Sequence, residues 1–320
     1  MNQNTQNTFM KAIRIHQFGG IGELRYEEAP IPAPAADEIL IKVAASGFNP
    51  VDVKIRMGYL QAFFPHHFPY IPGIEVSGIV ERAGEAVTEF QAGDKVYAAL
   101  DMSQDGGAAE YVVTKAQYAA LAPASLELAD AAALPVGVLT AWQGLFEHGN
   151  LPAGGRVLIA GAAGGVGSYA VQLAKLHGAY VIGTSSAASI PMLQELGIDE
   201  IIDYTRESVT EKLNTKVDLI LNLSPENTEE LNTWLPLLKE GGALVSAVNP
   251  ADEQLAAQLG VRTHQIYGHA DREQMTRMAA LVDEGKLKLQ ITARLPLAEL
   301  ASAHAMSEAG KIRGKVLITI

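Results

Sequence analysis

The stretch VLIAGAAGGVGS, residues 157–168, constrains this chain more than any other. Val157–Ala160 is a short apolar run that reads as a buried strand. Gly161, Gly164, Gly165 and Gly167 follow at once, and apolar residues then recur at helical spacing through Val166, Ala170, Val171, Leu173, Ala174 and Leu176. A strand, a glycine turn and a helix N-terminus make an anion site: backbone N–H groups point outward, the helix dipole favours negative charge, and missing Cβ atoms let a pyrophosphate approach. Gly161, Gly164 and Gly167 are spaced GxxGxxG, whereas dinucleotide folds more often carry GxGxxG. The competing reading is a glycine-rich corner with no ligand, so the surrounding pattern decides.

That pattern is an alternation of strands and helices. Short apolar runs at Val157–Ala160, Tyr180–Gly183, Glu200–Asp203, Val217–Asn222, Gly242–Val248 and Val261–Ile266 are mostly separated by about 15 to 20 residues of helix and loop. This is the rhythm of parallel βαβ units, and six strands match one doubly wound dinucleotide fold. Before it, Ala129–Ala133 and Leu134–Leu145 read as helical.

The N-terminal third has another texture. Residues 1–9 are expected to be a lead-in and Met10 to open the structured part. Strands are expected at Lys11–Ile15, Glu38–Val43, Val76–Glu81, Asp94–Ala98 and Ala108–Val113, with a proline-rich connector over Glu28–Ala36. Short strands with glycine-rich turns indicate a small all-β unit, barrel or sandwich. Between its strands lies GFNPVDVKIRMGYL, residues 47–60, in which Asn49-Pro50 starts a turn and Val51–Met57 forms one or two helical turns. The irregular FFPHHFPYIPG follows, and long irregular segments in compact domains tend to carry function. After residue 269, Arg272–Glu284 and Leu297–Ala309 read as helices stopped by Gly285 and Gly310. The last strand, Lys315–Ile320, has no helix after it and is expected to return to the N-terminal β unit.

Charge and residue usage exclude several functions. Lys and Arg total 24 against 36 Asp and Glu, a net charge of −12, and no basic cluster offers a face for nucleic acid. No run approaches the ~20 apolar residues of a membrane span, and the polar start carries no targeting pattern, so cytoplasm is the expected location. There is no cysteine, which removes thiol nucleophiles and Cys-ligated zinc. The eight histidines show neither HxxxH nor HExxH spacing, and His66-His67 in an extended segment point to opposite sides. Each is read as solvated or packed, and no metal site is expected.

The strand end that reads the coenzyme ribose is Gly183-Thr184-Ser185-Ser186. Folds specific for NAD place an acid about 20 residues past the glycine loop; here the first acid after Gly167 is Glu195, inside the next helix. Small hydroxyl residues leave room for a 2′-phosphate, which favours NADP(H).

Several motifs together resemble the medium-chain dehydrogenase/reductase superfamily, in its zinc-free quinone-reductase branch. They are GFNPVDVKIRMG (47–58), PGIEVSGIV (72–80), GGAAEYVV (106–113), LTAWQGL (139–145), AGAAGGVGS (160–168), LGIDEIIDY (196–204), DEGKLK (283–288) and RGKVLITI (313–320), collinear from about Met10 to Ile320. The resemblance implies an α/β protein: a GroES-like β-barrel domain, residues 1–126 plus 269–320, with an inserted Rossmann domain, 127–268, holding a doubly wound six-stranded parallel sheet. It implies a homodimer, and a coenzyme in the cleft. Zinc-dependent relatives use a cysteine and a GHE histidine; here the first position falls near Asn49 and the second reads Gly73-Ile74-Glu75.

Carried over by resemblance, Ala163, Gly164, Gly165 and Val166, within the turn from Gly161 to Gly167, hold the pyrophosphate. Thr184, Ser185 and Tyr204 flank the 2′-phosphate ribose, and Asn222, Ser246 and Thr140 lie near the nicotinamide. Relatives often carry a lysine near the position of Ser189, and Arg313 is a substitute cation or a plain surface charge. The expected reaction is hydride transfer from NADPH to a quinone or an enone, a small hydrophobic electrophile. Charge develops on the acceptor oxygen and needs donors. Asn49 and Tyr59 are the candidates, with Asp52 shaping the loop; a plain turn and a packing tyrosine are the alternatives. Phe63, Phe64, Phe68 and Tyr70 line an acceptor pocket, or pack in the core or a lid. Two other functions stay open: an enoyl-thioester reductase, and an NADPH-binding regulatory or structural protein with incidental activity.

Overall fold

The computed structural model describes residues 8–320. The expected lead-in therefore lies outside the described residues, apart from Thr8 and Phe9. The chain forms two compact units: one from the segment up to Val136 together with Ala270–Ile320, the other from Gly137–His269.

In the first segment, β1 (Phe9–Arg14) pairs antiparallel with β2 (Arg25–Pro30), a strand whose last three residues lie in the expected connector. Then come β3 (Glu38–Phe48), α1 (Pro50–Arg56), β4 (Glu75–Ala83), β5 (Lys95–Ala99), β6 (Tyr111–Lys115) and β7 (Ala119–Leu121). A 3-10 turn over Leu128–Ala133 leads into α2 (Pro135–Trp142), which continues as a π-helical stretch over Gln143–His148. Residues 127–136, expected in the dinucleotide domain, fall in the first unit. Ala132 and Ala133 pack in one core cluster with Ala45 and Leu317, and the Val136 N–H donates to Glu75 Oε2 at 2.7 Å.

The second unit runs β8 (Arg156–Ala160), α3 (Gly167–Leu176), β9 (Tyr180–Ser185), α4 (Ile190–Glu195), β10 (Glu200–Asp203), α5 (Val209–Lys212), β11 (Val217–Asn222), α6 (Thr228–Trp234), β12 (Leu238–Ser246), α7 (Glu253–Gln258) and β13 (Arg262–Gln265). All six strands are parallel, in the order β10-β9-β8-β11-β12-β13, the doubly wound arrangement. The apolar runs fill its core: Leu158, Ile182, Ile202, Ile220, Leu244 and Trp234 lie in one buried cluster.

The chain then returns to the first unit with α8 (Arg272–Asp283), β14 (Ile291–Pro296), α9 (Leu300–Glu308) and β15 (Lys315–Thr319). β15 lies between β14, parallel to it, and β3, antiparallel to it, inside a seven-stranded sheet. The returning strand read from the sequence is thus an interior strand; its neighbour β14 escaped notice. Among the described residues no helix is long and apolar enough to cross a membrane.

Candidate active site

In the second unit most of the residues expected to bind the coenzyme gather where the parallel strands end. Gly161 follows β8 at φ +79°, a conformation that costs a side-chain residue about 1–2 kcal/mol. At Gly167 a Cβ would stand 2.2 Å from the Gly161 carbonyl oxygen, so glycine is what allows α3 to begin against the turn. Gly164, Gly165 and Val166 are partly exposed, while Ala163 is nearly covered. A turn whose part-exposed Gly164 and Gly165 lack Cβ atoms, running into a helix N-terminus, fits a pyrophosphate.

Behind the turn, Thr184 and Ser185 are 5% and 2% exposed. Thr184 Oγ1 accepts the Gly161 N–H at 2.9 Å, and Ser185 Oγ donates to the Ser186 carbonyl at 3.1 Å. The Thr184 hydroxyl thus braces the glycine turn and the Ser185 hydroxyl is tied to its own strand end, which departs from the open strand end expected from the sequence. What the strand end leaves uncovered is Ala187 and Ala188, with Tyr204 57% exposed just past β10.

Asn222 and Ser246 end β11 and β12 in register, and both are fully buried. Asn222 Nδ2 donates to Ser246 Oγ at 3.0 Å, and Asn222 Oδ1 accepts from the Ser224 hydroxyl at 2.8 Å. Thr140, on α2, is packed so closely on the 268–269 loop that a Cβ on Gly268 would lie 2.9 Å from its Oγ1. Gln143 holds that loop by a reciprocal pair of bonds with His269, at 2.9 and 3.0 Å, a clamp that nothing in the sequence announced. Arg313 belongs to the first unit, where its Nη1 donates to the carbonyls of Gly310 and Ile312, both at 2.9 Å.

In the first unit the structure joins Asn49 and Asp52 to two residues not selected as site residues, Glu75 and Lys315. All four are at most 6% exposed. Asp52 Oδ2 accepts the Asn49 N–H at 2.8 Å, which secures the start of α1. Asn49 Nδ2 donates to Glu75 Oε1 at 2.7 Å and to the Gly47 carbonyl at 3.3 Å, and Asn49 Oδ1 accepts from Lys315 Nζ at 3.1 Å. Lys315 is also ion-paired with Glu75. Both amide hydrogens of Asn49 are thus used inside the fold, which leaves this side chain no spare donor for a substrate. Burial pushes the Asp52 carboxyl up to about 7; the Glu75 charge adds to this, while the Asn49 amide and the Lys315 ammonium oppose it.

Tyr59 stands apart from this cluster, in a turn following α1, with its N–H donating to the Lys54 carbonyl at 3.0 Å and its side chain 67% exposed. The four expected pocket aromatics separate. Phe63 and Phe68 are exposed, whereas Tyr70 is 2% exposed in a core cluster with Ile15, Ile55, Leu60 and Ile74, and Phe64 packs against that cluster. Tyr70 is therefore core, set by burial beside His66, whose ring lies 4.2 Å away.

The donors present do not fit a cysteine-ligated zinc. The chain has no cysteine, the histidine position of GHE is taken by Ile74, and Asn49 and the neighbouring Glu75 already hold a lysine ammonium. Among the described residues no group of three or more His, Cys, Asp or Glu is arranged to hold a metal ion.

Comparison with known proteins extends this picture. Residues 35–124 match the alcohol dehydrogenase GroES-like domain family, and residues 196–318 match the zinc-binding dehydrogenase family. The chain is 34% identical to the chloroplast envelope quinone oxidoreductase homolog of Arabidopsis thaliana, over 97% of this chain and 98% of that protein. It is 32% identical to the NADPH-dependent alkenal/one oxidoreductase, chloroplastic, of the same plant, over 97% of this chain and 79% of that one. The solved structure of the quinone oxidoreductase from Coxiella burnetii superimposes with a TM-score of 0.89 at 31% identity, covering 98% of this chain and 99% of that one.

Proposed function

The chain belongs to the medium-chain dehydrogenase/reductase superfamily, in its quinone-oxidoreductase-like branch, and from that premise we propose that it transfers hydride from NADPH to a quinone or an α,β-unsaturated carbonyl compound without zinc. The observation that carries this reading is the buried Asn49–Glu75–Lys315 cluster: an internal ammonium balances the Glu75 carboxylate, next to Ile74, which stands at the histidine position of the zinc-dependent relatives.

NADPH, when bound, supplies the hydride. The chain's part is to bind and orient. The turn from Gly161 to Gly167, with Ala163, Gly164, Gly165 and Val166, and the N-terminus of α3 hold the pyrophosphate. Asn222, Ser246 and Thr140 hold the nicotinamide end. The end of β9 offers no carboxylate to repel a 2′-phosphate, and Tyr204 flanks the ribose. Negative charge on the acceptor oxygen is met by the hydroxyl of Tyr59, an exposed phenol in the turn after α1, within the segment 47–60. Asn49 and Asp52 act by holding that segment's root. Phe63 and Phe68 give an apolar acceptor a surface to rest on. The setting proposed is a homodimer in the cytoplasm; the dimer rests on the family likeness.

The test is titration with NADPH and NADH, then absorbance at the nicotinamide band after adding 1,4-benzoquinone or, separately, an enone. Micromolar NADPH binding, weaker NADH binding and acceptor-dependent oxidation are expected. NADPH binding without oxidation of any acceptor would favour a regulatory role and overturn the reductase reading.

A further inference from the structure

We propose that Arg206 is the residue with which this chain reads the 2′-phosphate of NADPH, a role that rests on the coenzyme assignment above. The Thr184 hydroxyl is buried against the glycine turn, the Ser185 hydroxyl is buried and bonded to the Ser186 carbonyl, and the position where the family resemblance implies a lysine is a buried serine, Ser189. Arg313 bonds the carbonyls of its own loop. A phosphate at the end of β9 therefore needs another cation.

The topology leaves one. In a parallel sheet every strand starts at one edge and ends at the other, and the coenzyme site lies at the ends. Seven lysines and arginines occur in residues 137–269. Arg156 and Arg262 open β8 and β13, Lys216 immediately precedes β11, and Lys239 near the start of β12 is bonded to Asp218 near the start of β11. Lys175, in the last turn of α3, is bonded to Asp199, which precedes β10. Lys212 is paired with Glu207 at 3.2 Å. Arg206 remains, three residues past the end of β10.

Its placement is defined by the sheet. Asp203, the last residue of β10, is in register with Ser185, the last residue of β9. The chain then turns, with the Arg206 N–H donating to the Asp203 carbonyl at 2.9 Å. The Asp203 carboxylate is occupied by Thr205, accepting from its amide at 3.1 Å and its hydroxyl at 2.7 Å, which holds its pKa below the usual carboxylate range. The Arg206 guanidinium touches that carboxylate only at 3.6 Å, and its side chain is 80% exposed. A solvated pair of this kind holds the arginine loosely. A dianionic phosphate offers it a bidentate partner, and lysine cannot reproduce that geometry.

Calorimetric titration of wild type, R206A and R206K with NADPH, NADH and 2′,5′-ADP tests this. R206A is expected to weaken NADPH and 2′,5′-ADP by about tenfold or more while leaving NADH within about twofold, with R206K in between. The unchanged NADH affinity serves as the check that the variant is folded. A wild-type preference for NADPH that survives in R206A overturns the role of Arg206 alone. Wild type binding NADH as tightly as NADPH overturns the coenzyme assignment and this inference with it.

Discussion

Asp52 shows how much a single carboxyl is altered by where it folds. Burial raises it to about 7, from about 3.9 in an unfolded chain. Between roughly pH 4 and 7 the folded protein keeps a proton that the unfolded chain has lost. The stability this group contributes is complete below pH 4 and is lost as pH rises through 7, by about 1.4 kcal/mol per pH unit. His304, buried beside Arg56 and pushed down to about 3, acts in the opposite sense: it costs stability as pH falls below 6.5. Urea unfolding of wild type and D52N at pH 5, 6, 7 and 8 separates the two, because His304 is common to both proteins. The wild-type midpoint is expected to fall relative to D52N as pH rises; parallel midpoints would refute the assignment. From sequence, Asn49-Pro50 and Asp52 were legible as a turn and the start of a helix. Lys315, which completes the cluster, was not, because its partner Asn49 is 266 positions away and local patterning carries no trace of such a contact. The strand-end hydroxyls of Thr184 and Ser185 were legible by type but not by direction, since only the packed turn shows that they face inward.

At the scale of elements, the glycine turn and α3 separate two duties that one motif combines. Gly167 serves packing, since a Cβ there would meet the Gly161 carbonyl at 2.2 Å. At Gly164 an added Cβ would lie 3.2 Å from that same oxygen, a contact that a small shift relieves. G164A is therefore expected to unfold within a few degrees of wild type yet bind NADPH about tenfold more weakly, whereas G167A lowers both the unfolding temperature and the affinity. Thermal melts with NADPH titrations check this, and equal losses in both variants would contradict the division. Among the parallel strands, β8, β9, β11 and the end of β12 were readable from the sequence because each is a short apolar run buried on both faces. β14 was missed because its exposed, alternating residues, ITARLP, offered a weaker signal than the two helices on either side. β2 was missed because its proline suggested a connector, although Pro30 closes the strand and interrupts no ladder.

For the whole molecule, the order of residues and the order of strands disagree. The sheet of the first unit has β15 in its interior, between β3 and β14, although the entire second unit separates β3 from β15 along the chain. The second unit is continuous from Gly137 to His269, so all of it is made before residues 270–320. A ribosome making this chain therefore delivers a foldable coenzyme unit first and leaves an older stretch waiting with an open sheet. Until residues 315–319 leave the exit tunnel, Ala45–Phe48 lack their strand partner, and Asn49 and Glu75 lack the ammonium that binds them. Limited proteolysis of stalled nascent chains is expected to find residues 137–269 protected while residues 38–115 are still cleaved, with protection of the latter appearing only after β15 has emerged. Early protection of both segments would show that the sheet closes without its last strand. The N-terminal part of the protein is thus the last to be finished, and for most of translation it is the part that chaperones have reason to meet.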